Sequence, residues 1–363
     1  MSYRRYEDIN RIPIHRLGFS YVGENISGML LRSSGFRRGT ETVYERRNNG
    51  ESGRIRNLLR LLTEPIFAGL LLLDITQFIL REKRNCSVIV CFLFAPFEAY
   101  FTLVARLTGL KVIARASSSG DYLFIQFRLK VWRRLIRLAN AVVAISQRIK
   151  KDLTAEGFDE ERIHTIPNAV IIPKNVWTSK KRSSPVAVFV GNLSQQPLKG
   201  IDVLIHAWRS VAKEFPTARL LICGGGDKSR LVELAGQLGV LTSVEFLGRI
   251  QDPESVVVKG SVFVLPSRVE GMSNALLEAM ALGVPCIATD VSGSQDVIQH
   301  GINGLLVPGG MAEPLAKAII QVFRDPKNSE KMGKEARRTV TATNSCNSMS
   351  AGYFALVKKV LIG

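Results

Sequence analysis

Residues Ser261–Asp290 read SVFVLPSRVEGMSNALLEAMALGVPCIATD. Ser261–Leu265 is a short apolar run without polar alternation, which predicts a strand covered on both faces. It ends at Pro266. A loop follows, and a helix starts at Ser273 or Asn274, either of which can cap its N-terminus. Gly283 stops the helix, and a second strand, Pro285–Thr289, begins just beyond. Strand, loop, helix and strand in this order form the repeating unit of a parallel α/β sheet. The exposed N–H groups at the start of such a helix are a natural place for an anion.

The same alternation runs through most of the chain. Strands are predicted at Ser87–Phe92, Lys111–Arg115, Ala141–Ile145, Arg162–Ile166, Val186–Val190, Arg219–Cys223, Ser243–Leu247 and Gly304–Val307 as well. Helical patterns lie between them at Ile201–Phe215, Lys228–Leu238, Asn274–Leu282 and Pro314–Arg324. This reads as a doubly wound α/β architecture. A length of 363 residues exceeds what one ordinary core organises, so two domains are expected. The polar, basic stretch Pro173–Pro185 marks the boundary. The expected organisation is an N-terminal domain over 1–172, a C-terminal domain over 173–343, and a final helix within 344–363. No repeat of solenoid length is visible.

Composition narrows the partners. Lys plus Arg is 49 against 31 for Asp plus Glu, a net charge of +18, which favours an anionic partner. Between Phe101 and Lys151 only Asp121 opposes eleven basic residues. Gln126–Leu138 (QFRLKVWRRLIRL) has a helical pattern with basic residues flanking an apolar face. Such a helix suits an anionic membrane surface, and equally a solvated face packed on its apolar side. The aromatic interleaving of a nucleic-acid module is missing, so nucleic acid is not an expected partner. Pro65–Leu80 is the most apolar stretch, but it is shorter than the roughly 20 residues of a membrane span and carries Asp74. A buried or interfacial helix is expected there. The N-terminus lacks the apolar core of a signal peptide. Five scattered cysteines point to a reducing compartment, so the expected location is cytoplasmic, peripheral at the inner membrane face. Neither a metal cluster nor a cofactor motif is visible.

Glu278 is the informative residue. Its neighbours on the helix are Ala275, Leu276, Leu277, Ala279, Met280, Ala281 and Leu282. A carboxylate there needs a partner, because burying it alone costs several kcal/mol. Ligand hydroxyls could supply one; so could nearby backbone amides or an arginine.

Glu270-Gly271-Met272-Ser273-Asn274-Ala275-Leu276-Leu277-Glu278 resembles the Glu-x7-Glu signature of the retaining glycosyltransferases of family 4. These enzymes have the GT-B fold, two Rossmann-like doubly wound domains facing a cleft. The resemblance implies that Glu270 faces the donor sugar and Glu278 bonds the ribose of a sugar nucleotide. Gly271, Met272, Ser273 and Asn274 would face sugar and phosphate. Val190-Gly191-Asn192-Leu193 and Leu198-Lys199-Gly200 resemble the family's glycine turn and Lys-Gly pair, with Lys199 neutralising the diphosphate; a solvated turn lysine is the plainer reading. The family commonly has arginine where Asn192 stands. Gly224-Gly225-Gly226-Asp227 resembles the glycine loop beside the nucleotide, and Phe246-Leu247-Gly248-Arg249 the loop bordering the base.

The expected reaction is therefore transfer of a hexosyl group from a UDP- or GDP-sugar to a lipid-linked or oligosaccharide acceptor, in polysaccharide or lipid-linked glycan synthesis. Residues 1–20 resemble a stretch that follows the family's first βαβ unit, which implies that this unit is missing. In KVIARASSSGD, Ser117 stands where many relatives carry a histidine, and Ser117 to Ser119 would form an acceptor-side loop. These departures keep a second expectation open: a non-catalytic relative that binds a nucleotide sugar or a partner protein.

Overall fold

The structure is a computed structural model describing residues 76–80, 83–84, 86–91, 96–117, 134–174, 177 and 184–362. Its elements in chain order are β1 (Val88–Cys91), α1 (Pro96–Leu107), β2 (Lys111–Ala116), β3 (Ala141–Ala144), α2 (Gln147–Ala155) and β4 (Ile163–Thr165). Then come β5 (Val186–Val190), α3 (Gln196–Lys199), α4 (Ile201–Glu214), β6 (Arg219–Cys223), α5 (Ser229–Gln237), β7 (Val244–Gly248), α6 (Glu254–Val257) and β8 (Val262–Leu265). The chain continues with α7 (Asn274–Leu282), β9 (Cys286–Thr289), α8 (Ser292–Gln295), β10 (Leu305–Val307), α9 (Ala312–Arg324), α10 (Pro326–Thr343) and α11 (Cys346–Ile362).

The strands form two wholly parallel sheets. The first has the order β1-β2-β3-β4, the second β10-β9-β8-β5-β6-β7. Every predicted strand is present, with no end shifted by more than one residue, and the two-domain α/β reading holds.

Strand periodicity explains the double burial. In the first sheet, Val112, Ala114, Val142 and Ala144 face one apolar cluster. The alternate residues Ile113, Ala141 and Val143 face a second, closed by Leu356 and Val360 of the last helix. α11 therefore covers a face of the first sheet, although it follows the second sheet in the chain. In the second sheet, Val188, Phe263, Leu265, Cys286 and Ala288 point towards α7, whereas Ala187, Phe189, Val262, Val264 and Ile287 point towards α4 and α9.

α10 is a helix that the sequence pattern did not predict. Asp325 caps it by accepting from Asn328 N–H, and Pro326 opens it. Its buried stripe is narrow: Ser329, Met332, Gly333, Ala336 and Val340. It packs across α7, where Arg337 donates to the carbonyls of Ala281 and Pro173.

The basic helix expected at Gln126–Leu138 and the apolar stretch Pro65–Leu80 fall largely outside the described residues. Among the described residues no helix is long and apolar enough to cross a membrane. No disulfide joins any two of the five cysteines.

Candidate active site

The second sheet reverses direction between β5 and β8. From β5 the chain winds outward through β6 and β7, then returns to the other side of β5. In open α/β sheets ligands bind beyond the carboxyl ends of the strands at such a reversal. Here those ends carry the Gly191–Lys199 segment after β5 and the Pro266–Ser273 segment after β8.

The two loops meet at a charge pair. Lys199 Nζ lies 2.6 Å from Glu270 Oε2, with the side chains 19% and 13% exposed. Ser267, wholly buried, donates its hydroxyl to the same oxygen at 3.2 Å. Glu270 Oε1 accepts no bond from a described residue. Glu270 thus keeps one oxygen fixed and one open.

The approach of the loops depends on Gly200. Its φ of 63° is left-handed, and a Cβ there would sit 2.0 Å from Pro266 O. Only glycine fits both constraints. A second tie is Arg268. Its backbone N–H donates to Leu198 O at 2.7 Å, and its guanidinium donates to Pro197 O and to both carboxylate oxygens of Asp202. Burial pushes the Asp202 pKa up, but the Arg268 fork and the backbone N–H groups outweigh it, so the net shift is downward.

Beside this pair a cavity of about 490 Å³ opens over the ends of β5, β6 and β7. Gly191, Asn192, Gly225 and Arg249 line it, with Gly224, Gly226, Ile250 and Pro253. Four of its ten lining residues are glycines, three of them consecutive, which lets a ligand approach main-chain N–H groups closely there. Asn192 is exposed, and its Oδ1 accepts from Ser194 N–H at 2.9 Å, a local turn bond. Lys199, Glu270, the 271–274 turn and Glu278 stand outside this wall, on the β8 side.

The 271–274 turn is held in place rather than free. Ser273, not Asn274, caps α7: its hydroxyl accepts from Leu276 N–H. Met272 is buried, and its sulfur accepts from Asn168 N–H. Asn274 is exposed, with Oδ1 2.9 Å from Asn168 Nδ2. Asn168 also donates to Met272 O, accepts from Arg115 of β2, and offers its carbonyl to Asn344 Nδ2. It therefore ties the first sheet, the α7 turn and the end of α10 together. No spacing in the sequence pointed to Asn168 or Arg268, because each acts through partners far away in the chain; Ser267 bonds Glu270 only three residues on, but a serine in a loop carries no signal of that bond.

Glu278 is half-buried on α7 and makes no hydrogen bond or ion pair with any described residue. Burial, and then the charge of Glu254 at the start of α6, push its pKa up. Neither the backbone amides nor the arginine that could have satisfied it does so. Ser117 stands exposed just after β2, at the carboxyl edge of the first sheet. From that edge Ser146 contacts Ser292 at 3.3 Å, and Gln147 N–H reaches Asp296 Oδ2 at 2.6 Å. Ser119 lies outside the described residues.

Comparison with known proteins accords with this geometry. Among curated proteins the chain is 33% identical over 205 residues to the GDP-mannose-dependent alpha-(1-6)-phosphatidylinositol monomannoside mannosyltransferase of Mycobacterium tuberculosis, covering 54% of this chain and 52% of that one. It is 29% identical over 191 residues to the N-acetyl-alpha-D-glucosaminyl L-malate synthase of Bacillus anthracis, covering 52% and 49%. The chain thus spans about half the length of these relatives. The fold matches Anabaena HepE crystallised with UDP at a TM-score of 0.70 and 19% identity, covering 78% of this chain and 82% of that one. It matches sucrose-phosphate synthase from Thermosynechococcus elongatus at 0.68 and 21%, covering 80% and 77%. Both likenesses are to the GT-B fold. Residues 38–172 match the model of Glycosyltransferase Family 4, and residues 173–339 match that of Glycosyl transferases group 1. With successive matches running from residue 38 to residue 339, the chain belongs to the family 4 (group 1) glycosyltransferases.

Proposed function

We propose that the chain transfers a hexosyl group from a nucleoside diphosphate sugar to an acceptor hydroxyl, with retention of anomeric configuration. The observation that carries this reading is the Lys199–Glu270 pair at the sheet reversal, next to the strand ends where a cavity lined in part by Gly191 and Gly224–Gly226 opens. The nucleotide enters the cavity along Gly191 and Gly225, with Arg249 at its border. Its diphosphate draws Lys199 away from Glu270. Glu270 then holds the sugar hydroxyls, and Glu278 gains the ribose hydroxyls as the partners it lacks. The turn from Gly271 to Asn274 lies against the sugar and phosphate.

In the reaction the bond from C1 to the phosphate oxygen breaks, and its electron pair leaves with the diphosphate. The acceptor oxygen bonds C1 on the same face, and its proton passes to the departing phosphate. Negative charge grows on the leaving group, so a fixed ammonium and the N–H groups at the start of α7 stabilise the transition state more than the ground state. No acid–base side chain is needed on the acceptor side, which suits a Ser117 to Ser119 loop without histidine.

The donor in this reading is a UDP- or GDP-sugar. The mycobacterial relative is named for GDP-mannose and HepE was crystallised with UDP. A lipid-linked or oligosaccharide acceptor, presented at an anionic membrane surface, fits the net charge of +18. The role is in cell-surface polysaccharide or lipid-linked glycan synthesis, on the cytoplasmic side.

A thermal-shift panel of nucleoside diphosphate sugars tests donor binding, since a ligand of the folded state raises its melting point. The hit is then incubated with membrane lipid extract, and the anomeric configuration of the product is read by NMR. Retention supports the proposal, and inversion overturns the mechanism. Donor binding without turnover on any acceptor would favour the nucleotide-sugar-binding protein instead.

A further inference from the structure

We propose that Arg268 is the positioning residue for Lys199, holding the lysine over the diphosphate while the donor breaks its pair with Glu270. The inference rests on the phosphate role of Lys199 proposed above.

Lysine is a point charge on a flexible four-carbon stem, so an ammonium must be placed by the backbone beneath it. Glu270 also holds Lys199, at 2.6 Å. That hold is lost when phosphate takes over the ammonium. What remains is the attachment of the backbone on either side. Pro197 and Leu198 precede Lys199, and both carbonyls accept from Arg268, through the guanidinium at 2.9 Å and the main-chain N–H at 2.7 Å. Asp202 follows Lys199 by three residues and takes the guanidinium fork at 2.8 and 2.7 Å. Arg268 therefore grips the chain before and after the lysine. It does so from the loop that carries Glu270, two residues further on. A bidentate fork fixes orientation as well as distance, which a single ion pair does not. The side-chain and main-chain bonds of Arg268 go to Pro197, Leu198 and Asp202, the residues that flank Lys199.

The test compares binding of UDP with UMP, and of GDP with GMP, by calorimetry. The ratio of diphosphate to monophosphate affinity isolates the distal phosphate, where Lys199 acts. A general loss of structure weakens both ligands and leaves the ratio alone. Lys199→Ala is expected to lower the ratio about tenfold, the worth of one charge-assisted hydrogen bond. Arg268→Ala is expected to lower it by several-fold with little change in UMP or GMP binding. In the double variant the ratio should be no lower than in Lys199→Ala alone, because the arginine has nothing left to place. Arg268→Lys should not rescue, since an ammonium lacks the fork. Asp202→Ala, which removes the anchor and keeps Arg268, should move the ratio in the same direction.

An unchanged ratio in both Arg268→Ala and Asp202→Ala would overturn the inference while leaving Lys199 in place. So would a further fall when Arg268→Ala is added to Lys199→Ala. If Lys199→Ala itself leaves the ratio unchanged, or neither diphosphate binds, the phosphate role of Lys199 fails and the inference fails with it.

Discussion

Lys199 and Glu270 are bound to each other, Nζ to Oε2 at 2.6 Å, across the loops that follow β5 and β8. Each group thereby neutralises the charge that the other would present to a ligand. In the function proposed above, a donor exchanges this pair for two new ones, ammonium with phosphate and carboxylate with sugar.

The exchange predicts opposite effects from one substitution. Glu270→Gln removes the competitor for Lys199, so a nucleoside diphosphate without its sugar should bind a few-fold more tightly. Turnover should fall by about a hundredfold, because a contact made in the transition state is lost. Calorimetry with UDP and GDP, set beside initial rates with the intact donor, separates the two. Weaker binding of the bare diphosphate would show that the pair organises the phosphate site instead of competing with it.

Glu278 makes a second prediction, in which stability and binding part company. Burial and the charge of Glu254 raise its pKa above the ordinary carboxylate value. The folded state therefore holds its proton over a window where the unfolded chain has released it, and the unliganded protein loses stability as pH rises through that window. Glu278→Gln should remove this dependence and raise Tm at neutral pH by about 1–3 °C. Donor affinity should fall at least tenfold, because a charged acceptor with two oxygens becomes a neutral amide with one and an NH2 group that cannot accept. Differential scanning fluorimetry across pH, with and without donor, reads both. Unchanged donor affinity would remove Glu278 from the site.

How much of this could be read in the sequence depends on where the information lies. The strands were legible because runs such as Val186–Val190 and Val262–Leu265 are apolar on both faces. Asn274–Leu282 was legible because its cap and its terminal glycine are local. α10 was not, since its buried stripe includes Ser329 and Gly333 and gives little apolar contrast. Glu270 and Lys199 were singled out through a motif, and Glu278 first through the apolar helix around it. Asp202 and Arg268 could not be paired from the sequence, because only the order of β5 and β8 in the sheet brings them together. Asn168 is harder still, for its partners come from β2, the α7 turn and the end of α10.

Gly333 makes a third prediction, about packing. A Cβ there would sit 2.1 Å from Gly283 O, where α10 crosses the end of α7. Backbone cannot yield as a flexible side chain can, so Gly333→Ala should cost about 1–3 kcal/mol, seen as a lower denaturant midpoint. Moving α7 also moves Glu278, and donor affinity should drop with stability. A stable variant with weakened binding would place α10 in control of the site but not of the fold.

The cysteines provide a fourth. Burial, then the charge of Glu245, push the Cys223 thiol up to about 11, and burial pushes Cys286 up as well. Neither should react with iodoacetamide at neutral pH in the native protein, whereas exposed Cys346 should. Mass spectrometry of the alkylated chain checks this. Because Cys223 lies at the cavity wall, prompt labelling there would mean that the strand end opens to solvent.

The return of α11 to the first sheet has a mechanical consequence. The chain passes between the two halves twice, once before β5 and once after α10. The two passages lie side by side: Val170 N–H donates to Asn344 O at 2.9 Å, and Val170 bridges Ser345. The two connections are thus bonded to each other, so the halves are joined at one place by a pair of chain segments and not by a single linker, and whatever loosens one segment there is felt by the other.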